Sequence, residues 1–180
     1  NTPTVITAGV PCQGFSLANR KRNSDDKRNF LFKEFIRIAK DIKPTALVLE
    51  NVSGLVSTRG GGFKHDISEA ISDLGYDVYF SLLNAADYGV PQKRRRVFFV
   101  GVPKGTKWLF PGKTHGIKAG KPFNTVKDAI LGDLPELKAN ELSEQYSSKP
   151  KSDYQKFIRE SLDILTNHQS PNHPENTIQK

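Results

Sequence analysis

Four short apolar runs alternate with two segments of helical periodicity in the first hundred residues. The runs are rich in β-branched and aromatic residues, which predicts strands at residues 4–8, 45–49, 77–83 and 96–102. Apolar residues at helical spacing predict helices at 30–42 and 63–74, each followed by a helix-stopping residue, Pro44 or Gly75. This order predicts an α/β fold with parallel strands at its start, and the last two strands are close enough in sequence to pair antiparallel.

The second half of the chain has a less regular pattern. Residues 103–125 are rich in proline and glycine and predict a loop, whereas 125–131 and 153–166 have the spacing of short helices. Residues 167–180 are polar and interrupted by proline. The chain of 180 residues is long enough for one hydrophobic core, so we expect a single domain over 1–180 in which 103–180 is the less regular segment.

Charge gives the first indication of a partner. The chain has 27 Lys and Arg against 19 Asp and Glu, a net charge of +8 that favours a polyanion such as nucleic acid, although solubility alone also accounts for many basic surfaces. No apolar run approaches the roughly 20 residues that span a bilayer, and the first residues lack a signal-peptide pattern. A single cysteine cannot form an internal disulfide, which is consistent with a reducing cytoplasm. The absence of Met indicates a piece of a longer chain.

Two polar side chains follow the two strands predicted to be parallel. Cys12 lies four residues past the run 4–8 in the stretch GVPCQGFS, and Glu50 directly follows 45–49. Because the carboxyl ends of parallel strands meet at one edge of a sheet, both side chains are expected to face the same crevice. A lone cysteine is more often a buried hydrophobe, and a strand-end carboxylate often simply faces water. A loop between Pro11 and Gly14 is a poor place to bury a thiol, however, and the convergence with Glu50 favours a reactive site.

The third candidate is the basic stretch QKRRR at residues 92–96, which leads into the apolar run VFFV. A solvated basic patch or a localisation signal is the ordinary interpretation of such a run. Strand alternation instead places Gln92, Arg94 and Arg96 on one face, where paired guanidinium groups would suit a phosphate or a base edge. The four histidines lie at no spacing typical of a zinc site, so we expect no metal.

Together, three stretches resemble the motifs of the C5-cytosine methyltransferase family. GVPCQGFS resembles its PCQ nucleophile motif, LVLENVSGL its ENV motif and LNAADYGVPQKRRRVFFVG its QxRxR motif, in the family's order and spacing. NTVKDAILGDLP resembles the stretch that follows in bacterial members. The resemblance covers essentially the whole chain. It implies a partial Rossmann-like, S-adenosylmethionine-dependent methyltransferase fold with a mixed sheet flanked by helices.

The resemblance also implies a covalent mechanism that acts on cytosine in double-stranded DNA. Cys12 would add to carbon 6, which makes carbon 5 nucleophilic toward the methyl group of S-adenosylmethionine. Glu50 would hydrogen-bond the exocyclic amine and ring position 3 and favour protonation there. Arg94 and Arg96 would hold the flipped-out cytosine and its neighbouring phosphate.

Further residues receive supporting roles from the same resemblance. Pro11 and Leu31 match positions that touch the cofactor, and Asn51 matches a residue that braces the nucleophile loop. The positions implied to contact DNA are Gln13, Ser16, Arg20 and Gln92. The basic loop 17–29 resembles the mobile loop that closes on DNA in this family.

Some motifs of the family are missing from these residues. The FxGxG cofactor motif should lie several dozen residues before Cys12, and only eleven residues precede it. The target-recognition region and the last two motifs should follow residue 180. The resemblance therefore implies the C-terminal half of a catalytic domain, inactive alone and without most of its cofactor pocket. Segment 103–180 would lead toward the missing reader, and a second copy or a complementary chain would supply the missing motifs.

The leading hypothesis is a DNA (cytosine-5)-methyltransferase of a bacterial restriction–modification system, located in the cytoplasm. Two alternatives stay open: a non-catalytic nucleic-acid-binding module on the same scaffold, and methylation of tRNA by the RNA-directed branch of the family. Intact Cys12, Glu50, Arg94 and Arg96 favour catalysis over the first alternative. The bacterial NTVKDAILGDLP segment favours DNA over tRNA.

Overall fold

The computed structural model describes residues 3–10, 31–159 and 164–172, which fold into two compact units. The first unit contains the described parts of Asn1–Ala85 and Arg94–Lys113, and the second those of Ala86–Lys93 and Thr114–Lys180. The regular elements of the first unit are β1 (Val5–Gly9), α1 (Phe32–Ile42), β2 (Ala46–Val52), α2 (Gly62–Asp73), β3 (Tyr76–Asn84) and β4 (Arg95–Pro103). Short 3₁₀ helices occupy Ser53–Val56, Thr58–Gly61 and Ala85–Tyr88.

The strands of the first unit form one mixed sheet in the order β1–β2–β4–β3. β1 and β2 are parallel, whereas β4 runs antiparallel to both of its neighbours, β2 and β3. Helix α1 lies between β1 and β2 in the chain and provides the crossover that a parallel pair requires. The predicted α/β fold, its parallel start and its antiparallel last pair are confirmed.

One face of this sheet carries the hydrophobic core. Alternation along β2 and β4 places on that face four side chains with no exposed surface, Leu47, Leu49, Val97 and Phe99. The two helices cover the same face with buried side chains spaced three or four residues apart, Phe32, Phe35 and Ala39 in α1 and Phe63, Ile67 and Ile71 in α2. Full burial of each large apolar side chain contributes about 1.5–3 kcal/mol. Glu50 of β2 and Arg96 of β4 are thereby left to the opposite face.

A buried hydrogen bond ties the start of β3 to the end of α1. Tyr76 is buried, and its hydroxyl donates to the carbonyl of Pro44. Pro44 follows Lys43, which ends α1 in the left-handed region at a φ of 50°. Burial raises the pKa of the Tyr76 phenol, so the hydroxyl keeps the proton that it donates.

The second unit contains two short helices, α3 (Val126–Ile130) and α4 (Asp153–Arg159), and an antiparallel pair of strands, β5 (Leu142–Gln145) and β6 (Ile164–Gln169). The predicted helix at 125–131 is confirmed. A capping box fixes its start, because Thr125 Oγ1 accepts from the Asp128 amide and the Asp128 carboxylate accepts from the Thr125 amide. Within the described residues no helix has the length and apolar character to cross a membrane.

The predicted helix at 153–166 is confirmed over Asp153–Arg159 and wrong at residues 164–166, while residues 160–163 lie outside the described residues. α4 ends at Arg159, and Ile164 begins β6, where it lies opposite Gln145 of β5. The backbone hydrogen bonds of this ladder outweigh the local helical spacing, and β-branched residues such as Ile164 and Thr166 suit a strand. The sequence offered no signal for β5, whose four residues alternate weakly between Leu, Ser, Glu and Gln.

Buried polar side chains stabilise the second unit around α4. Asp133, Gln155 and Arg159 are each at most 7% exposed. Arg159 Nη1 donates to the carbonyl of Ser148 at 2.9 Å and lies 3.8 Å from Asp133 Oδ2. The guanidinium of Arg159 also lies over the Tyr146 ring, 3.7 Å from its centre. This unit is therefore organised by polar contacts to a larger degree than the first.

Gly101→Ala should destabilise the first unit. A Cβ on Gly101 would stand 2.9 Å from Ile71 Cγ2 and 2.9 Å from Leu47 Cγ, both on fully buried side chains. Overpacking of this kind lowers the free energy of unfolding by roughly 1–3 kcal/mol, measurable by urea denaturation. Gly112→Ala is the matched control, because a Cβ there meets nothing within 4 Å. Equal losses in the two variants would contradict the packing of this core.

Candidate active site

The candidate site lies where three strands of the first unit bring their ends together. β1 and β2 are parallel, so their carboxyl ends lie at the same edge of the sheet. β4 is antiparallel to β2, so its amino end lies at that edge as well. Gly9 is paired with Glu50, and Val52 is paired with Arg96. The topology therefore assembles residues that are up to 87 positions apart in the sequence.

An ion pair joins two of the predicted catalytic residues. Arg96 Nε lies 2.9 Å from Glu50 Oε1, and the two side chains are 24% and 33% exposed. Glu50 lies opposite Phe98 and Arg96 opposite Val52, so the pair is a diagonal neighbour pair on one face of the sheet. A second bond, from Arg96 Nη1 to the carbonyl of Arg95 at 2.9 Å, fixes the other side of the guanidinium.

The Glu50 carboxylate retains an accessible side. Its other oxygen, Oε2, would be 3.6 Å from a Cβ built on Gly9, an ordinary van der Waals distance, so this oxygen lies close to β1. A partly exposed carboxylate with one oxygen paired to a guanidinium can accept hydrogen bonds from a ligand amino group through its remaining lone pairs. The arrangement suits a planar ligand that offers donors to Glu50 and acceptors to the free N–H groups of Arg96.

Asn51 links the ends of β1 and β2. It is 2% exposed, its Nδ2 donates to the Val10 carbonyl at 3.4 Å, and its Oδ1 accepts from the Val52 amide at 2.7 Å. Val10 is the last described residue before the segment that contains Cys12. Asn51 thus holds the backbone from which the predicted nucleophile loop departs.

Two further predicted residues precede β4 in the chain. Arg94 is exposed, and its carbonyl accepts a hydrogen bond of 3.0 Å from the Ala85 amide. Gln92 is exposed within the second unit, in a turn closed by a bond from its own amide to the Val90 carbonyl at 2.8 Å. Because β4 begins only at Arg95, the predicted strand alternation does not extend to Gln92 and Arg94.

Several predicted site residues lie outside the described residues, namely Pro11, Cys12, Gln13, Ser16 and Arg20. Leu31 is described and is 37% exposed. It lines a cavity of about 440 Å³ that is mostly apolar, together with side chains from β1 and α1, Ile6, Ala8, Phe35 and Ile38. Glu34 is the acidic group at this cavity. In the described ranges no group of three or more His, Cys, Asp or Glu side chains could hold a metal ion.

The direct contact between Glu50 and Arg96 was not part of the sequence prediction, which placed both residues against a base. A signal was available in the pattern of strands, because antiparallel pairing of β2 with β4 puts these two positions diagonally across the ladder. The sequence prediction did not include the neighbour of β2 on the side away from β1, which in the structure is β4.

Comparison with known proteins gives the family. Residues 1–179 match the model of the C-5 cytosine-specific DNA methylase family. A relative, the type II methyltransferase M1.HphI of Haemophilus parahaemolyticus, is 38% identical over 98% of this chain and 41% of its own length. M.DdeI of Desulfomicrobium norvegicum is 36% identical over 97% of this chain and 43% of its own length.

A solved structure supports the fold. The candidate DNA modification methyltransferase encoded within an E. coli prophage superposes with a TM-score of 0.68 at 25% identity, over 98% of this chain and 54% of that one. The chain thus spans about two-fifths of the length of the curated relatives above. With a match along nearly all of its residues, the chain belongs to the C-5 cytosine-specific DNA methylase family.

Proposed function

We propose that this chain provides the nucleophile and the cytosine-binding residues of a DNA (cytosine-5)-methyltransferase from a bacterial type II restriction–modification system. The observation that carries the proposal is the Glu50–Arg96 pair, 2.9 Å apart at the strand ends from which the Cys12 loop departs. Family membership and the type II relatives support the reaction class. The chain would be the C-terminal half of a catalytic domain, with 103–180 leading toward the target-recognition region.

Cys12 would act first, as a thiolate. Its Sγ adds to carbon 6 of the cytosine, and the electron pair of the 5,6 double bond becomes available at carbon 5. S-adenosylmethionine, when bound, supplies a methyl group on a positively charged sulfur. Carbon 5 would take this methyl group as the methyl–sulfur bond breaks, which leaves a neutral thioether on the spent cofactor. A base would then remove the proton from carbon 5, the 5,6 double bond would re-form, and the carbon–sulfur bond to Cys12 would break to return the thiolate. The thiol is therefore consumed and regenerated within one cycle.

Glu50 and Arg96 would orient and polarise the base. The accessible side of the Glu50 carboxylate faces the exocyclic amine and ring nitrogen 3, where a proton must arrive as Cys12 attacks. Arg96 already holds Glu50 Oε1 and offers its remaining N–H groups to an acceptor on the ring. Arg94, exposed ahead of β4, would take the neighbouring phosphate.

The charge distribution supports double-stranded DNA as the partner. Residues 94–113 contain six Lys or Arg and no Asp or Glu. Such a concentration of cations at the start of β4 and in the following loop favours a phosphate backbone. The target cytosine would leave the helix to reach Glu50, and loop 17–29 would close over it. Gln13, Ser16, Arg20 and Gln92 would make further DNA contacts, and the enzyme would work in the cytoplasm on chromosomal DNA.

Part of a cofactor site fits the cavity beside Leu31. Its lining is mostly apolar and its volume is about 440 Å³, which suits the nucleoside portion of S-adenosylmethionine better than a charged group. Leu31 and Pro11 would contact the cofactor there. The rest of the pocket would come from sequence beyond these residues or from a second chain.

Covalent trapping tests the nucleophile. Residues 1–180, placed between the flanking segments of the Haemophilus relative, should form a denaturation-resistant adduct with a duplex that carries 5-fluorocytosine, because fluorine at carbon 5 blocks proton removal and release of the thiol. Cys12→Ala should abolish the adduct. Glu50→Gln should slow its formation by about 10²–10⁴-fold. The readout is gel mobility in the presence of S-adenosylmethionine.

Arg95→Ala is the matched control, since Arg95 is an exposed arginine on the same strand whose side chain points away from Glu50. The rate of adduct formation should change by only a few fold in Arg95→Ala, whereas Arg96→Ala should lose most of that rate. A folded chimera that binds DNA without any adduct would favour the non-catalytic alternative. An adduct with tRNA and none with duplex DNA would favour the RNA-directed branch. Either result would overturn the proposal.

Asn51→Ala should lower the stability of the chain more than Glu50→Gln does, whereas Glu50→Gln should slow adduct formation more than Asn51→Ala does. Asn51→Ala removes a buried amide and leaves the Val52 amide without its 2.7 Å acceptor, which should lower the free energy of unfolding by about 1–3 kcal/mol. Glu50→Gln disrupts only a partly exposed ion pair and should cost less than about 1 kcal/mol. Urea denaturation of both variants, beside their adduct rates, checks this. A larger stability loss for Glu50→Gln would contradict the assigned roles.

A further inference from the structure

The turn that carries Gln92 has little apolar packing of its own. In the segment Ala86–Lys93 only Ala86 belongs to the buried apolar residues, and Val90 is 42% exposed. Gln92 and Lys93 are both exposed. A segment with so few apolar contacts needs another source of order if it is to present a side chain in a fixed direction.

Two backbone amides and one side-chain amide from a later stretch of the second unit donate hydrogen bonds to carbonyls of this turn. The amides of Thr114 and His115 both donate to the carbonyl of Asp87, at 2.9 and 3.0 Å. Asn124 Nδ2 donates to the carbonyl of Gly89 at 2.7 Å. Three donors from Thr114–Asn124 thus satisfy two carbonyls that lie three to five residues before Gln92. The sequence separation of 27 to 35 residues makes these tertiary contacts.

The ring of His115 adds a packing contact to the same turn. Gly89 has a φ of 92°, and a Cβ built on it would stand 2.7 Å from His115 Cε1 and 3.1 and 3.2 Å from the two ring nitrogens. The imidazole therefore occupies the space that any side chain at position 89 would need. His115 Nδ1 shares a hydrogen bond of 2.9 Å with Thr114 Oγ1, which fixes the ring orientation.

We propose that His115 and Asn124 are positioning residues that hold the Gly89 turn and thereby aim Gln92 at the DNA. The inference rests on the DNA contact of Gln92 in the proposed function. Neither residue touches the reacting atoms. Their effect passes along the chain from Gly89 through the Val90–Gln92 turn. Both residues belong to the loop 104–125, which has no regular secondary structure. The Thr114–Asn124 part of this loop thus positions the Gly89 turn.

Amide hydrogen exchange of the full chain without DNA tests the positioning itself. His115→Ala and Asn124→Leu, which keeps the size of the side chain and removes its donor, should accelerate exchange of the Gly89 and Gln92 amides by about tenfold or more. Ile117→Ala is the matched control, because Ile117 is 100% exposed in the same loop, and exchange should be unchanged. His115→Phe retains a flat ring against Gly89 and should restore most of the protection. Unchanged exchange in both His115→Ala and Asn124→Leu would overturn the proposal.

A double-mutant cycle with Gln92→Ala tests the functional link. Dissociation constants for a duplex are measured by fluorescence anisotropy with the full chain. They should rise about five- to tenfold in Gln92→Ala and by a similar factor in His115→Ala. The double variant should show the same rise as either single variant, with no additional loss of affinity. Losses that multiply in the double variant would show that His115 acts elsewhere and would overturn the proposal. So would a lower melting temperature in His115→Ala with unchanged DNA affinity.

Failure of the proposed function and failure of this further inference would give different results. A chain that binds no duplex, with intact exchange protection that His115→Ala removes, would refute the DNA contact of the proposed function. Loss of affinity in Gln92→Ala alone, with no effect of either positioning variant, would leave the proposed function in place and refute only the inference drawn from His115 and Asn124.

Discussion

Strand β2 pairs on one side with a parallel strand and on the other with an antiparallel one, and the geometry of the candidate site depends on that placement. The parallel pairing with β1 puts Gly9 beside Glu50, so the loop toward Cys12 leaves the sheet next to the carboxylate. The antiparallel pairing with β4 puts Arg96 diagonally across from Glu50 on the same face. A shift of register by one residue would turn Arg96 to the core side. The fully buried Leu47, Leu49, Val97 and Phe99 oppose such a shift.

One face of the sheet carries the apolar packing that stabilises the first unit, and the other face carries the candidate site residues Glu50 and Arg96. Helices α1 and α2 cover one face with apolar side chains, and this burial accounts for most of the cohesion of the first unit. The opposite face at the carboxyl end of β2 carries the Glu50–Arg96 pair, which is partly exposed and contributes little to folding. A carboxylate kept accessible in this way can exchange a solvent contact for a ligand contact without the large desolvation penalty of a buried ion pair.

The second unit is organised more by polar contacts than by apolar packing. Its helices are short, and buried polar groups such as Asp133, Gln155 and Arg159 organise it. Hydrogen bonds from Thr114, His115 and Asn124 to backbone carbonyls hold the Ala86–Lys93 turn in a similar way. Directional polar contacts fix geometry more narrowly than apolar burial does, which suits the DNA contact that we propose for Gln92.

The sequence by itself determined the strands and helices of the first unit, because their apolar spacing matches the periods of two and 3.6 residues that burial on one face requires. It also predicted Glu50 as a site residue, from its expected convergence with the Cys12 loop at one edge of the sheet, and the structure places Glu50 within β2 near that edge. The predicted helix at 153–166 is wrong at Ile164, because its strand partner Gln145, 19 residues earlier, decides the conformation there and no local pattern contains that partner. The Glu50–Arg96 contact and the His115–Gly89 contact likewise join residues 46 and 26 positions apart. Only the tertiary structure could decide them, since pairing across a sheet and ring packing on a glycine depend on how separate elements meet.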